Sequence, residues 1–132
     1  MKILQFAFSG EANNPYLPDN YDKNSVVYTG THDNDTTLGW SEKLSDSERQ
    51  YIYDYLGNPS VSLHCALIQT ALSSVANLAI IPMQDILELG SEHRMNTPGT
   101  TSGNWGWRFQ WYQLAPERAA RLAYLVKLFN RN

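Results

Sequence analysis

The apolar positions gather into three short blocks separated by long polar stretches. Residues 2–8 (KILQFAF), 26–29 (VVYT) and 78–81 (LAII) are almost continuously apolar. Without an alternating polar face, each predicts a strand covered on both sides, as in a parallel sheet. Between the second and third blocks the period becomes helical. Ser45 and Glu48 form a capping box, opening a helix that carries Tyr51, Ile52 and Tyr55 and ends near Gly57, with Pro59 beyond. Ser60 is placed to cap a second helix, on which Leu63, Leu67, Ala71 and Val75 share a stripe with Leu72 alongside. Residues 85–89 suggest one further turn closed by Gly90. A last helix starts near Pro116, with Ala119, Leu122, Leu125, Val126 and Phe129 on its apolar side and a Glu117–Arg121 pair at i,i+4.

The remaining polar stretches, 9–25 and 91–110, are rich in Asn, Pro, Gly and aromatics, and each follows a strand at its C-terminal end. Loops of this length in a compact chain usually carry function. The order β, loop, β, α, α, β, loop, α gives an α/β chain with a parallel sheet and no internal repeat. Three strands leave two unpaired apolar edges, a poor arrangement for a free-standing protein. The pattern reads better as part of a larger sheet or barrel. Ile3, Leu4, Phe6, Val26, Val27, Ile80 and Ile81 are then the residues expected to lack cover in the isolated chain, which should self-associate or aggregate without its missing neighbours.

Composition narrows the classes of function. The chain has 132 residues, 42% of them hydrophobic and 17% charged, with a net charge of −3. That is enough apolar residue for one core, and 1–132 is read as a single segment. No run of Lys or Arg offers a footprint for a nucleic-acid backbone. No stretch reaches membrane-spanning length, and residues 3–8 are too short for a signal-peptide core. The expected location is the cytoplasm, or a plastid if the source is a plant or alga. The single Cys65 lies in an apolar run and reads as a buried structural thiol.

The chemistry concentrates at THDND, directly after the second strand. His32, Asp33, Asn34 and Asp35 stand where α/β enzymes place their sites. An Asp there can accept hydrogen bonds from sugar hydroxyls or stabilise developing positive charge. The same residues also read as a helix start, with Asp33 or Asp35 as the cap of TTLGW; on sequence physics the two readings are evenly matched. A calcium loop fails, because Leu38 and Leu44 occupy the positions that need Gly and Glu. His32 and Asp33 could seed a metal-dependent hydrolase, but no ligand spacing joins them to His64 or His93, so no metal is expected. Trp40, Trp105, Trp107 and Trp111 offer faces for sugar rings, although core and rim packing is the commoner fate of large aromatics; Trp105 and Trp107 flank Gly106 in a polar loop, which favours the sugar reading there. Asp33 and Asp35 are too close in sequence to face each other across a scissile bond as a carboxylate pair.

Five stretches, in order, resemble the 4-α-glucanotransferases of glycoside hydrolase family 77: MKILQFAF, NPYLPDNY, VVYTGTHDNDTTLGW, NLAIIPMQDILELG and RMNTPGTTSGNWGWR. The resemblance spans nearly the whole chain, with a more variable middle at 42–72. It implies the C-terminal portion of a (β/α)8 barrel, about three β/α units, whose strands would be the sixth to eighth. It further implies a retaining transfer of α-1,4-glucan segments between maltooligosaccharides, without an organic cofactor. Of the family's three catalytic carboxylates only the transition-state stabiliser maps here, onto Asp33, with His32 binding sugar hydroxyls and Asn96 and Trp105 as substrate contacts. The nucleophile and acid/base would lie upstream of Met1, in the missing part of the barrel, so the chain alone is expected to be inactive. A glucan-binding or scaffolding remnant is the alternative. Asp19 and Ser41 depart from the family's usual His and aromatic residue at those positions.

Overall fold

A computed structural model describes residues Met1–Asn132. Three parallel strands, β1 (Lys2–Ile3), β2 (Val26–Tyr28) and β3 (Leu78–Ile80), lie in the order β1-β2-β3. Val27 pairs with Lys2 on one side and Ala79 on the other. Five α-helices follow: α1 (Thr37–Glu42), α2 (Asp46–Tyr55), α3 (Leu63–Ser73), α4 (Met83–Ile86) and α5 (Pro116–Leu128). No helix is long and apolar enough to cross a membrane.

The core lies between the sheet and α3. Leu4, Val27, Leu67 and Ala71 are fully buried together with Tyr21 and Ala76, and Trp40 and Phe8 pack at the margin. A second cluster joins Ile68 and Leu72 of α3 to Leu125 of α5. After α5, the Arg131 guanidinium donates to the carbonyls of Leu72, Ser74 and Ala76. It thus closes the carboxyl end of α3, where cationic donors are favoured.

Several expectations need correction. The first apolar block is a strand only over Lys2–Ile3. Leu4–Phe6 winds into a 3-10 turn, because the Gln5 side chain turns inward and donates to the Asp35 carbonyl (3.0 Å) and Thr37 Oγ1 (3.2 Å). The capping box at Ser45 and Glu48 forms with both bonds made. Ser60 caps nothing: α3 begins after Ser62, and Val75 lies beyond its end, exposed. The turn at 85–89 begins two residues earlier, after Pro82, and the left-handed residue near its end is Glu88 (φ 58°), not Gly90.

β3 is not covered on both faces. Leu78 and Ile80 are 52% and 40% exposed, and Phe6 is also exposed, whereas Ile3, Leu4 and Val27 are buried within this chain. Of the seven residues expected to lack cover, Phe6 and Ile80 are exposed and Val26 and Ile81 half-buried. Ala119 is exposed on α5. Arg118, not Arg121, finds an acidic partner, at 3.6 Å from Glu88, while Arg121 lies over the Tyr124 ring. Cys65 is half-buried rather than sealed in the core. Contact with His64 outweighs its burial and holds the thiol below its ordinary range.

Candidate active site

β2 ends at Tyr28, and the chain immediately crosses the C-terminal edge of the sheet as Thr29-Gly30-Thr31-His32-Asp33. Gly30 is required by close approach: a Cβ there would meet Gln5 Nε2 at 2.5 Å. The loop is then tied internally. Asn34 Oδ1 accepts from the backbone N–H and the hydroxyl of Thr31, both at 2.8 Å.

The anchor beneath the loop is Asp85 of α4, only 2% exposed. Its carboxylate accepts from Thr29 Oγ1 (2.6 Å), Thr37 Oγ1 (2.7 Å) and Thr37 N–H (2.8 Å). One buried acid thus fixes the end of β2, the start of α1 and the position of α4. The sequence gives no local sign of this, because the partners lie 48 and 56 residues away.

Asp35 is equally committed. It accepts from Lys43 Nζ (2.7 Å), Ser91 Oγ (2.7 Å) and Thr36 N–H (2.8 Å). Burial alone would raise its carboxyl; the hydrogen bonds and charge of Lys43, with Ser91 and Thr36, outweigh burial and hold it below the usual range. Gly39 permits this packing, since a Cβ would press on Ser91 Oγ and Asp35. The N-cap of α1 is Thr36, whose Oγ1 accepts from Gly39 N–H at 3.1 Å. Neither acid therefore fills the capping role.

Because the folded carboxyl of Asp35 is more acidic than the unfolded one, its contribution is complete above about pH 4. It fades as pH falls through the lowered value. Asp35→Asn should accordingly lower the melting temperature most near neutrality, with the deficit shrinking in acid. A deficit independent of pH would show that the charge is not what matters.

Asp33 is different. Its side chain is 52% exposed, and Asn96 Nδ2 donates to Oδ1 at 2.7 Å, with His32 Nε2 3.3 Å from the same oxygen. The Trp105 ring lies 5.0 Å from the His32 ring, tilted by 40°. All four residues singled out from the sequence thus meet at one point above the strand ends. Arg94, which sequence reasoning missed, clasps the two loops: its guanidinium donates to the Asp33 carbonyl (3.0 Å) and the Asn96 carbonyl (3.3 Å). Trp105 is held in the left-handed region (φ 62°) by its N–H bond to the Met95 carbonyl. That conformation costs a bulky residue of the order of 1–3 kcal/mol, and such strain concentrates at functional sites. A cleft of about 200 Å³ opens beside His32, Trp105, Arg94 and Gln84. The other tryptophans divide: Trp40 packs on the core, Trp107 donates to His93 Nδ1 (3.0 Å), and Trp111 is exposed.

A parallel α/β sheet with a polar and aromatic site at its strand C-termini defines the class of enzyme sectors built on strand-end loops. Comparison with known proteins gives the family. The sequence model of the 4-alpha-glucanotransferases of glycoside hydrolase family 77 matches residues 1–114, and the chain belongs to that family. It is 51% identical over 133 residues to the 4-alpha-glucanotransferase of Synechocystis, covering 99% of this chain and 26% of that protein. Identity is 54% over 109 residues to the chloroplastic/amyloplastic 4-alpha-glucanotransferase of Solanum tuberosum, 82% of this chain and 19% of that one. The fold superposes on an amylomaltase from Streptococcus agalactiae in complex with acarbose with a TM-score of 0.93 and 34% identity, over 98% of this chain and 27% of that one. The chain therefore spans about a quarter of the length of these relatives, or less.

Proposed function

We propose that the chain is the C-terminal sector of a (β/α)8 glucanotransferase barrel, single over 1–132, contributing one wall of a site that transfers α-1,4-glucan segments between maltooligosaccharides. The observation that carries this is the convergence of His32, Asp33, Asn96 and Trp105 above the strand ends. Asp33 is the free carboxylate of the group, set to stabilise the oxocarbenium-like transition state of a retaining transfer. Asn96 orients it by donating to one oxygen, which leaves the other for substrate. His32 offers a ring nitrogen to sugar hydroxyls, and Trp105 supplies an apolar face beside it. The acarbose bound to the amylomaltase relative supports an oligosaccharide as the occupant. The plastid names of the plant relatives support a plastid setting if the source is a plant or alga.

Retaining chemistry needs a nucleophile and an acid/base about 5–5.5 Å apart. Within this chain Asp35 and Asp85 are consumed by their own hydrogen bonds. The family resemblance assigns the reacting carboxylates to other parts of the complete barrel, whose neighbouring strands would also cover the exposed β3 edge; failing those, another copy of the chain would. Residues 1–132 alone should release no glucose from maltotriose above background, while the complete protein does so. Turnover by the 132-residue chain would overturn this division of labour. Maltooligosaccharide binding without turnover by the complete protein would favour the second reading, a glucan-binding remnant that keeps only the sugar-facing loops.

A further inference from the structure

A second cavity stands apart from the strand ends. It lies among α3, α4 and α5, has a volume of about 370 Å³, and is bordered by His64, Cys65 and Glu88 with Arg118 and Leu122. We propose that His64 Nε2, Cys65 Sγ and a carboxylate oxygen of Glu88 form a three-ligand site for a zinc ion, with the fourth position open to this cavity.

The separations are His64 Nε2 to Cys65 Sγ 3.6 Å, His64 Nε2 to Glu88 Oε1 3.5 Å, and Cys65 Sγ to Glu88 Oε1 3.8 Å. Zinc bond lengths taken at the tetrahedral angle place N and S about 3.6 Å apart, N and O about 3.4 Å, and S and O about 3.6 Å. The triangle already has the dimensions of a coordination sphere. The two sulfur sides are within reach of weak S–H hydrogen bonds, but the His64–Glu88 side is longer than a charge-assisted imidazolium–carboxylate bond, which would draw its atoms to about 2.7–2.9 Å. The three donor atoms lie within 4.8 Å of one another.

The surroundings suit a metal as well. Ser62 Oγ stands 3.2 Å from His64 Nδ1. With Nδ1–H donating to that hydroxyl, the Nε2 lone pair faces Cys65 and Glu88, the supporting bond that metal-ligating histidines use. Arg118 Nη1 lies 3.6 Å from the second Glu88 oxygen and orients the carboxylate. A thiolate and a carboxylate neutralise a dication, and the imidazole side chain is only 7% exposed. The ligand set matches zinc better than magnesium or calcium, which take oxygen donors. Bound there, the ion would tie the first turn of α3 to the end of α4, the helix that carries Asp85. The site shares no ligand with the Asp33 cluster, so its failure would leave the glucan reading untouched.

The protein, as it occurs in its source, should be stripped with chelator and titrated with cobalt(II), then with zinc in competition. The expected result is one ion per chain, with the visible bands of a tetrahedral site and a thiolate-to-cobalt charge-transfer band that Cys65→Ser abolishes. Cys65→Ser and Glu88→Gly should each weaken zinc by about 10²-fold or more, and Ser62→Ala by about 10–100-fold. Glu88→Gly is the safeguard for folding, because glycine suits the left-handed backbone at that position (φ 58°). Zinc should also protect Cys65 from alkylation. Absence of the charge-transfer band at saturating cobalt, or zinc affinity unchanged in both Cys65→Ser and Glu88→Gly, would overturn the proposal.

Discussion

Asp33→Asn, in a complete barrel carrying this sector, should lower kcat by about 10²-fold or more while leaving the fold nearly intact. The magnitude is that of removing one preorganised electrostatic group. The separation of effects comes from the structure. The Asp33 carboxylate is half exposed, and its side-chain partners are Asn96 and His32 alone. An amide oxygen in its place still accepts from Asn96, so the loop keeps its shape. What disappears is negative charge at the point where positive charge develops, an interaction strongest in the transition state and therefore expressed in kcat more than in KM. Helix capping offers no rival explanation, because Thr36 caps α1. Kinetics on a maltooligosaccharide with a parallel melting curve check this. A melting temperature that falls while kcat is retained would assign Asp33 a structural role.

Asp85→Ala should have the largest effect on stability. Three donors converge on this carboxylate, and Asp85, Thr29 and Thr37 are all buried. Orphaned buried donors cost about 1–3 kcal/mol each, and relaxation recovers part of that, so a loss of about 3–5 kcal/mol is expected. Activity should fall with it, since the His32–Asp35 loop runs between the two threonines that Asp85 holds. Asp85→Asn should recover only part, because an amide has one acceptor oxygen and turns donors toward donors. Chemical denaturation followed by fluorescence would show the shift. A loss below about 1 kcal/mol would mean that the threonines find other partners, and that the anchor is less central than the bond lengths imply.

Features governed by neighbours in sequence were legible in advance. β2 follows from a β-branched apolar run, α2 from the reciprocal bonds of Ser45 and Glu48, and α5 from Pro116 and an apolar stripe. The gathering of His32, Asp33, Asn96 and Trp105 followed from family resemblance, and could not have come from spacing, since 63 residues separate Asp33 from Asn96. Where tertiary partners decide, local rules failed. Gln5 turns out of the strand pattern to reach Thr37, and the arginine of α5 that finds an acid is Arg118, through Glu88 beyond the end of α4, rather than Arg121 through Glu117 at i,i+4. Cys65 sits in an apolar run, but its side chain emerges beside a histidine on the same helix and a glutamate 23 residues away. None of these partners leaves a periodic trace in the chain.

The claim that this chain is a competent sector of a glucanotransferase barrel is tested most directly by transplantation. Residues 1–132 would replace the segment of the Streptococcus agalactiae amylomaltase on which they superpose, and glucose release from maltotriose would be measured. The account predicts a folded chimera with turnover on the order of the parent's, lost again on Asp33→Asn. A chimera that folds and binds maltooligosaccharide but shows no turnover would contradict it.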